Sequence, residues 1–372
     1  MTIRFLQRPR FVAGQSSATT ILEILYLMKT IGNVSLRIEH AAGRQAILGE
    51  LMISRRQGLK LVAAAATVLA LPGFTPAFAA ATTIRIGWQK FGVLALAKAQ
   101  GALEKRLADR GITVEWSEFT SGPPLLEALG AGSLDFGPTG DVPPLFAQAA
   151  RGDLLYVGTY RPPAAFHGIL VRKDGPVATL ADLKGVKLAY KRGSSAHNFA
   201  IKALAKAGLT PQDVHEIDLP PPDAAAAFKT GSVDAWAIWD PYFAIAEADP
   251  DARLLTTSDG IVEAWGYFLG NGPFTAANPE VITEILDELA KVGAAAQIDI
   301  DDTTTALSAI TGVPADITRV TLTRAGSDLG AIGPVSDKAV AYQQALADDF
   351  HALGVLPRKL QIADIVWRPK AS

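Results

Sequence analysis

The sequence has no cysteine and only five histidines in 372 residues. The missing thiols exclude cysteine nucleophiles, iron–sulfur clusters, cysteine zinc sites and disulfides. Five histidines leave little material for a histidine metal site, so we expect neither a metal nor a cofactor. Charged residues make up 19% of the chain and hydrophobic residues 49%. This balance excludes bulk disorder, and the length allows two or three domains.

The basic residues are concentrated at the N-terminal end. Residues 1–80 contain nine Lys and Arg against three Asp and Glu, whereas the remaining chain contains 26 against 34. A chain with this acidic excess is poorly suited to binding a polyanion. We therefore expect no nucleic-acid partner.

An export signal is predicted at residues 52–80. Arg55 and Arg56 precede a short apolar run, 61–71, which Pro72 and the small-x-small pattern Ala77-Phe78-Ala79 follow. Eleven apolar residues are too few for a lasting membrane helix, which needs about 20. The arginine pair resembles a twin-arginine (Tat) signal cleaved near Ala79, although Gly58 leaves the Sec route open. The prediction places the mature protein in the periplasm.

Residues 1–51 are unusual because they precede this signal. Export signals normally begin near the initiating methionine, and Met52 lies just before the arginine pair. We expect Met52 to be the true start and 1–51 to be an upstream extension that is not native or is disordered.

The mature chain alternates short apolar runs with helical patterns. This order predicts an α/β fold with mainly parallel sheets covered by helices. The first unit has predicted strands at 84–88, 112–116, 134–137 and 154–160, and helices at 93–110, 124–130 and 142–151. The pattern restarts with predicted strands at 168–171, 187–190, 214–219 and 235–239, and helices at 196–207 and 223–230.

The chain then returns to helical patterns. An apolar run, 265–271, could rejoin the first unit, and helices are predicted at 279–298, 301–310, 314–322 and 336–353. We therefore predict two lobes, with 81–168 and 271–372 in the first and 169–270 in the second. Ligands of open parallel sheets bind outside the carboxyl ends of the strands, so the cleft between the lobes is where a site is expected.

Five strand-to-helix turns share one composition of small, hydroxyl and amide residues. They occupy residues 88–92, 120–124, 138–142, 191–197 and 239–242. Each helix start has unpaired N–H groups and the positive end of the helix dipole. Several such ends around one cleft would hold an oxyanion without a cationic cage. The turns contribute these candidates: Gln89, Ser121, Gly122, Thr139, Gly140, Asp141, Gly193, Ser194, Ser195, His197, Trp239 and Asp240.

Simpler interpretations of these residues stay open. Ser, Thr and Asp are favoured N-caps, so any one turn could simply finish a helix. Asp141 and Asp240 are unfavourable beside an anion and could cap helices, bridge the lobes or face a polar part of the ligand. Trp239 could be core or ligand wall. His197 could pack or cap in the first turn of its helix rather than donate to a ligand.

Sequence motifs for catalysis are missing. The chain has no G-x-S-x-G, no H-E-x-x-H and no G-x-x-x-x-G-K-[ST], and its carboxylates are scattered. We expect a binding protein rather than an enzyme, and an enzyme based on Ser or His stays as an alternative.

Five stretches of the chain form a set of motifs: IGWQK at 86–90, LLEAL at 125–129, GSLDFGPTGD at 132–141, GSSAHN at 193–198 and VDAWAIWDPY at 233–242. The blocks around TGD and WDP are the most specific. Together these motifs resemble one family, the periplasmic aliphatic sulfonate-binding proteins of ABC importers, and the resemblance extends over residues 84–369.

The resemblance implies a two-lobed periplasmic binding protein-like fold of type II. It further implies an alkanesulfonate-like ligand, a membrane permease as partner and a monomeric state. Family ligand contacts fall on Gln89, Ser121, Gly122, Thr139, Gly140, Ser194, Ser195, Trp239 and Asp240. Phe91 stands where a small residue is common, which would reshape the pocket for a different organic tail. Taurine, nitrate, a sulfate ester or a thiamine-precursor pyrimidine are alternative ligands.

Overall fold

The computed structural model describes residues 34–38, 49–53 and 81–369. Most of the predicted extension and of the predicted signal, including Ala79, lies outside these residues, so both stay predictions. Strands β1 (Val34–Ile38) and β2 (Gly49–Ile53) pair antiparallel as a hairpin. They belong to a different compact unit from the one that begins at Ala79.

The first lobe is built on a six-stranded sheet. Its order is β13-β6-β12-β5-β3-β4. Strands β3, β4, β5 and β6 run in one direction, and β12 and β13 run against them. The strands are β3 (Thr83–Trp88), β4 (Thr113–Glu118), β5 (Phe136–Gly140), β6 (Leu154–Tyr160), β12 (Gly266–Asn271) and β13 (Ile332–Gly333).

The second lobe is built on a five-stranded sheet of order β11-β7-β10-β8-β9. Only β7 runs against the other strands. The strands are β7 (His167–Arg172), β8 (Lys187–Tyr190), β9 (His215–Asp218), β10 (Ala235–Trp239) and β11 (Ala252–Thr257). Most strands of each sheet thus run in one direction, and each sheet has two parallel neighbouring pairs. The α/β fold class is confirmed.

Twelve α-helices are described in residues 81–369. They are α1 (Gly92–Gln100), α2 (Ala102–Ala108), α3 (Gly122–Gly130), α4 (Val142–Ala149), α5 (Ser195–Lys206), α6 (Pro221–Lys229), α7 (Tyr242–Glu247), α8 (Gly272–Ala277), α9 (Pro279–Ile298), α10 (Ile300–Thr311), α11 (Ala315–Thr323) and α12 (Asp337–Ala352). The single helix predicted at 93–110 is two helices. Gly101 ends the first one with φ of 61°, a left-handed conformation that glycine adopts without strain.

The strand residues of the first sheet alternate between two cores. In β12, Phe268 packs into one core with Ile86 and Phe136, whereas Tyr267 and Leu269 belong to a second core on the other face. The period of two along a strand explains this division. Helices cover both faces, so the carboxyl ends of the strands are the open edge available to a ligand. No helix in the described residues is long and apolar enough to cross a membrane.

The chain crosses between the sheets twice. The first crossing lies between Tyr160 and His167, and the second lies between Thr257 and Gly266. The predicted boundaries at 168/169 and 270/271 were therefore too late. Strand β7 begins in the second sheet at His167, and β12 pairs with β5 and β6 of the first sheet.

Candidate functional site

A cavity lies between the two lobes at the ends of β3, β5 and β10. Eight of the twelve predicted residues line it: Gln89, Gly122, Thr139, Gly140, Asp141, Ser194, Ser195 and Trp239. The first lobe supplies the residues up to Asp141, and the second supplies the two serines and the tryptophan. The structure therefore brings together most of the residues that the turn composition selected.

Two glycines permit the close packing around this cavity. A Cβ on Gly140 would lie 2.8 Å from the Cβ of Ser195, in the other lobe. A Cβ on Gly122 would lie 2.2 Å from Thr139 Oγ1. Both distances are shorter than real Cβ contacts allow, so only glycine fits. Gly140 thus lets the lobes meet, and Gly122 lets the Thr139 hydroxyl lie against the start of α3.

Three buried donor-bearing groups on the cavity wall lack hydrogen-bond partners among the described residues. They are Thr139 Oγ1, Trp265 Nε1 and His167 Nδ1. A buried polar group that stays unpaired costs about 1–3 kcal/mol, so native proteins pair nearly all of them. Unpaired groups gathered at one cavity indicate a polar ligand.

His167 was not predicted from the sequence, yet it lies on the cavity wall. Its Nε2 is 2.9 Å from the Ser195 hydroxyl oxygen. Burial lowers the pKa of His167 to about 3, so the ring is neutral at pH 7. The neutral ring and the hydroxyl together carry two donatable protons, and their mutual hydrogen bond uses one. Whichever tautomer is present, one donor is left over.

Among the described residues, the cavity wall carries no lysine or arginine, and Asp141 is its one ionisable acid. Asp141 accepts hydrogen bonds from Asn198 Nδ2 at 3.0 Å and from the Tyr342 hydroxyl at 2.7 Å. Burial raises the pKa of Asp141 to about 6. An anion here would be held by neutral donors and by the N-termini of α3 and α5, which start at Gly122 and Ser195.

The hydroxyl of Ser194 is already engaged. It donates to the carbonyl oxygen of Lys191 at 2.7 Å, whereas Ser195 faces His167. The two adjacent serines are therefore not equivalent. Ser195 is the stronger candidate for a ligand contact.

Four predicted residues lie outside the cavity wall: Ser121, Gly193, His197 and Asp240. Ser121 is buried as the N-cap of α3. His197 accepts a hydrogen bond from the Gly193 N–H at 3.3 Å and stacks on Tyr190. These contacts are those of a packing and capping residue, one of the roles that the sequence left open for His197. Burial lowers the pKa of its ring to about 4.

Asp240, the fourth, forms a buried ion pair. Its carboxylate accepts hydrogen bonds from Arg324 Nε at 2.5 Å and from the Ala244 N–H at 3.1 Å. Arg324 follows α11, which packs against α10, and α10 packs against α1 in the first lobe. The pair therefore bridges the lobes, which is one of the roles that the sequence left open. Within the described residues, no cluster of three or more His, Asp or Glu could hold a metal ion.

The neutrality of His167 gives a pH prediction. Its pKa is below the value of about 6.5 in the unfolded chain, so the unfolded state binds a proton first as the pH falls. The stabilisation that neutral His167 gives the folded state is fully present above pH 6.5 and decreases as the pH falls toward 3. At pH 5 this contribution has decreased by about 2 kcal/mol.

His197, Asp141 and Asp240 also titrate differently in the folded chain, so the wild type alone does not isolate this contribution. Urea unfolding at pH 7 and pH 5 should show a change that is more destabilising by about 2 kcal/mol in the wild type than in His167→Gln. The exposed His215→Gln should behave like the wild type, and an equal loss in His167→Gln would refute the assignment.

Two α/β lobes, with a polar cavity between them at the strand ends, define a periplasmic binding protein fold. The NMT1/THI5-like family model matches residues 102–296. The chain belongs to this family.

Its relatives are similar over most of their length. A relative in Escherichia coli (strain K12), named "Putative aliphatic sulfonates-binding protein", is 39% identical over 77% of this chain and 89% of its own. The structure of the alkanesulfonate-binding protein SsuA from Xanthomonas axonopodis pv. citri bound to MOPS is 40% identical with a TM-score of 0.74, covering 78% of this chain and all of the other. The periplasmic aliphatic sulphonate binding protein SsuA from Escherichia coli is 37% identical with a TM-score of 0.71, over 79% and 94%.

Proposed function

We propose that this protein is the periplasmic substrate-binding component of an ABC importer and captures an organosulfonate between its lobes. The observation that carries the proposal is the set of unpaired buried donor groups on one cavity wall, at Thr139, His167 and Trp265. The family membership and the names of the relatives support the ligand class.

The cavity chemistry fits a sulfonate head. Its charge is permanent and spread over three oxygens, so several neutral donors can share it. Thr139 comes from the first lobe, and the His167–Ser195 pair comes from the second. A head that accepts from both favours the closed form, and a ligand shifts the lobes only by this preference.

Taurine is the second candidate. The carboxylate of Asp141 is buried on the cavity wall and forms no salt bridge with a described residue. The ammonium group of an aminosulfonate would supply a counter-charge, which a simple alkanesulfonate lacks. Nitrate, a sulfate ester and a pyrimidine have no comparable feature in their favour.

Isothermal titration calorimetry with ethanesulfonate, taurine, sulfate and nitrate tests the proposal. We expect at least one of the two sulfonates to bind at least tenfold more tightly than nitrate, because one charge-assisted hydrogen bond is worth about 1.5–3 kcal/mol. Binding of nitrate alone, or of no sulfonate, would refute the proposal. Mass spectrometry of the ligand after incubation should recover it unchanged, since we propose a binder and not an enzyme.

The proposal includes export and a membrane partner. The mature protein would be a periplasmic monomer that delivers its ligand to the cognate permease, after cleavage of the predicted signal near Ala79. The acidic mature body and the sequence order of Arg55, Arg56 and the apolar run support this. A secreted form whose mass includes residues before Met52 would refute the predicted start.

A further inference from the structure

A cationic side chain covers the ring of Trp265, one of the three unpaired donor residues on the cavity wall. The guanidinium carbon of Arg161 lies 4.0 Å from the centroid of the indole ring. Arg161 is not itself part of the cavity wall. It belongs to the first crossing between the lobes, and Trp265 ends the second crossing, directly before β12. The contact therefore joins the two crossings next to the first lobe.

The guanidinium is anchored by its own partners. Arg161 Nη1 donates to Glu263 Oε1 at 3.0 Å, and Lys338 Nζ of α12 contacts the same oxygen at 3.0 Å. Pro162 and Pro163 follow Arg161, and their rings restrict the backbone of the first crossing. A held carboxylate and a stiff segment thus keep the guanidinium over the indole ring.

The indole N–H of Trp265 has no hydrogen bond that would fix its direction. Nε1 is buried and makes no hydrogen bond to a described residue. The ring contacts the Arg161 guanidinium and lies near the Tyr342 ring, with centroids 6.2 Å apart. Contacts of the ring therefore set the direction of the N–H. A donor that is oriented before binding loses less conformational freedom on binding, which raises the affinity.

The ion pair of Arg161 and Glu263 contributes little to folding. The two side chains are 38% and 41% exposed. Exposed ion pairs add little to the free energy of unfolding because water screens their charges. Replacing Arg161 should therefore leave the fold intact, so that a change in affinity reports on the cavity.

We propose that Arg161 is a positioning residue for ligand binding, which holds the indole of Trp265 so that its N–H donates to the anionic head of the ligand. This role rests on the proposed binding of a sulfonate, because the head is the acceptor. The guanidinium lies over the ring face, where the quadrupole of the indole attracts a cation, and leaves the N–H at the ring edge free.

A double-mutant cycle, measured by titration calorimetry of the full chain with ethanesulfonate, tests the role of Arg161. Trp265→Phe keeps a ring but removes the N–H, and should weaken binding by about tenfold or more. Arg161→Met should weaken it by about threefold or more, and Arg161→Lys, which keeps a cation, should recover most of the affinity. In the Trp265→Phe background, Arg161→Met should change the affinity by less than about 1.5-fold. An Arg161→Met effect that is equally large in both backgrounds, or absent from both, would overturn the proposal.

Lys338 supplies the matched control. Lys338→Met removes the same charge from the same carboxylate but leaves the guanidinium on the ring, so the affinity should change by less than about 1.5-fold. An effect as large as that of Arg161→Met would assign the loss to net charge and overturn the proposal. Thermal unfolding checks the fold of each variant. If Arg161→Met does not fold, Glu263→Met, which frees the guanidinium from its anchor, should weaken binding by about twofold, and an unchanged affinity would contradict the role.

The indole N–H signals give a direct readout of the donor. The chain has six tryptophans, and the Trp265 signal in a proton–nitrogen correlation spectrum is the one missing from Trp265→Phe. Saturation with ethanesulfonate should move this proton downfield in the wild type and less in Arg161→Met. A Trp265 signal that stays in place although ethanesulfonate binds would overturn the positioning role and leave the proposed function intact. Failure of every sulfonate to bind would overturn both.

Discussion

Replacing Thr139 by Val and Ser195 by Ala together should weaken ethanesulfonate binding by about 100-fold or more. Each change removes a hydroxyl and leaves the volume nearly intact, since Val is isosteric with Thr. A hydrogen bond to a charged group contributes about 1.5–3 kcal/mol, so two such losses correspond to about 3–6 kcal/mol. Titration calorimetry against the wild type measures the effect.

The adjacent serine supplies the matched control. The Ser194 hydroxyl donates to the Lys191 carbonyl, so Ser194→Ala should change the affinity by less than about threefold. Thermal unfolding of all variants separates loss of binding from loss of fold. A double variant that binds as tightly as the wild type, or a Ser194→Ala effect as large as that of the double variant, would contradict the assigned donors.

The second large effect is expected on stability. Arg324→Met should lower the free energy of unfolding by about 3–5 kcal/mol, because it leaves the buried carboxylate of Asp240 without its counter-charge. The side chains of Arg324 and Asp240 are only 11% and 3% exposed. The guanidinium also lies 4.1 Å over the Phe243 ring, a contact that the methionine partly replaces. Urea unfolding at pH 7 gives the measurement.

A compensating variant separates charge from packing. Arg324 also contacts Glu247 at 2.9 Å, but that side chain is 34% exposed and water can solvate it. Adding Asp240→Asn to Arg324→Met removes the buried carboxylate and should therefore restore most of the lost stability. The amide oxygen introduced by Asp240→Asn would still accept the hydrogen bond from the Ala244 N–H. A double variant no more stable than Arg324→Met would show that packing, not the unpaired carboxylate, causes the loss.

The sequence predicted the fold and the edge at which the cavity lies. Strand ends and helix starts follow from apolar periods and from turn residues, which are local signals. These signals selected Thr139 and Ser195, and both line the cavity. The direction in which a side chain points depends on its neighbours in the folded chain, and the local sequence does not reveal it. Ser194 and Ser195 are equivalent in the sequence, yet α5 turns one hydroxyl to a backbone carbonyl and the other to His167.

Further features depend on contacts between distant segments. His167 begins a strand immediately after a crossing, and the predicted strand began one residue later. A second cavity, lined mainly by apolar side chains, combines Phe91 with Leu322 and Leu329, more than 200 residues away in the chain. Strand β11 (Ala252–Thr257) was not predicted, because its sequence lacks a continuous apolar run. None of its residues is fully buried, so the strand does not need one.

The contact between Gly140 and Ser195 limits how the proposed importer could recognise a loaded protein. A Cβ atom at position 140 would overlap Ser195, so the gap between the two lobes at this point is too small for a methyl group. An oversized ligand that holds the lobes apart by a few ångströms therefore breaks this contact completely. A permease that requires the fully closed outline would then reject such a complex, so selection by shape would act a second time after binding.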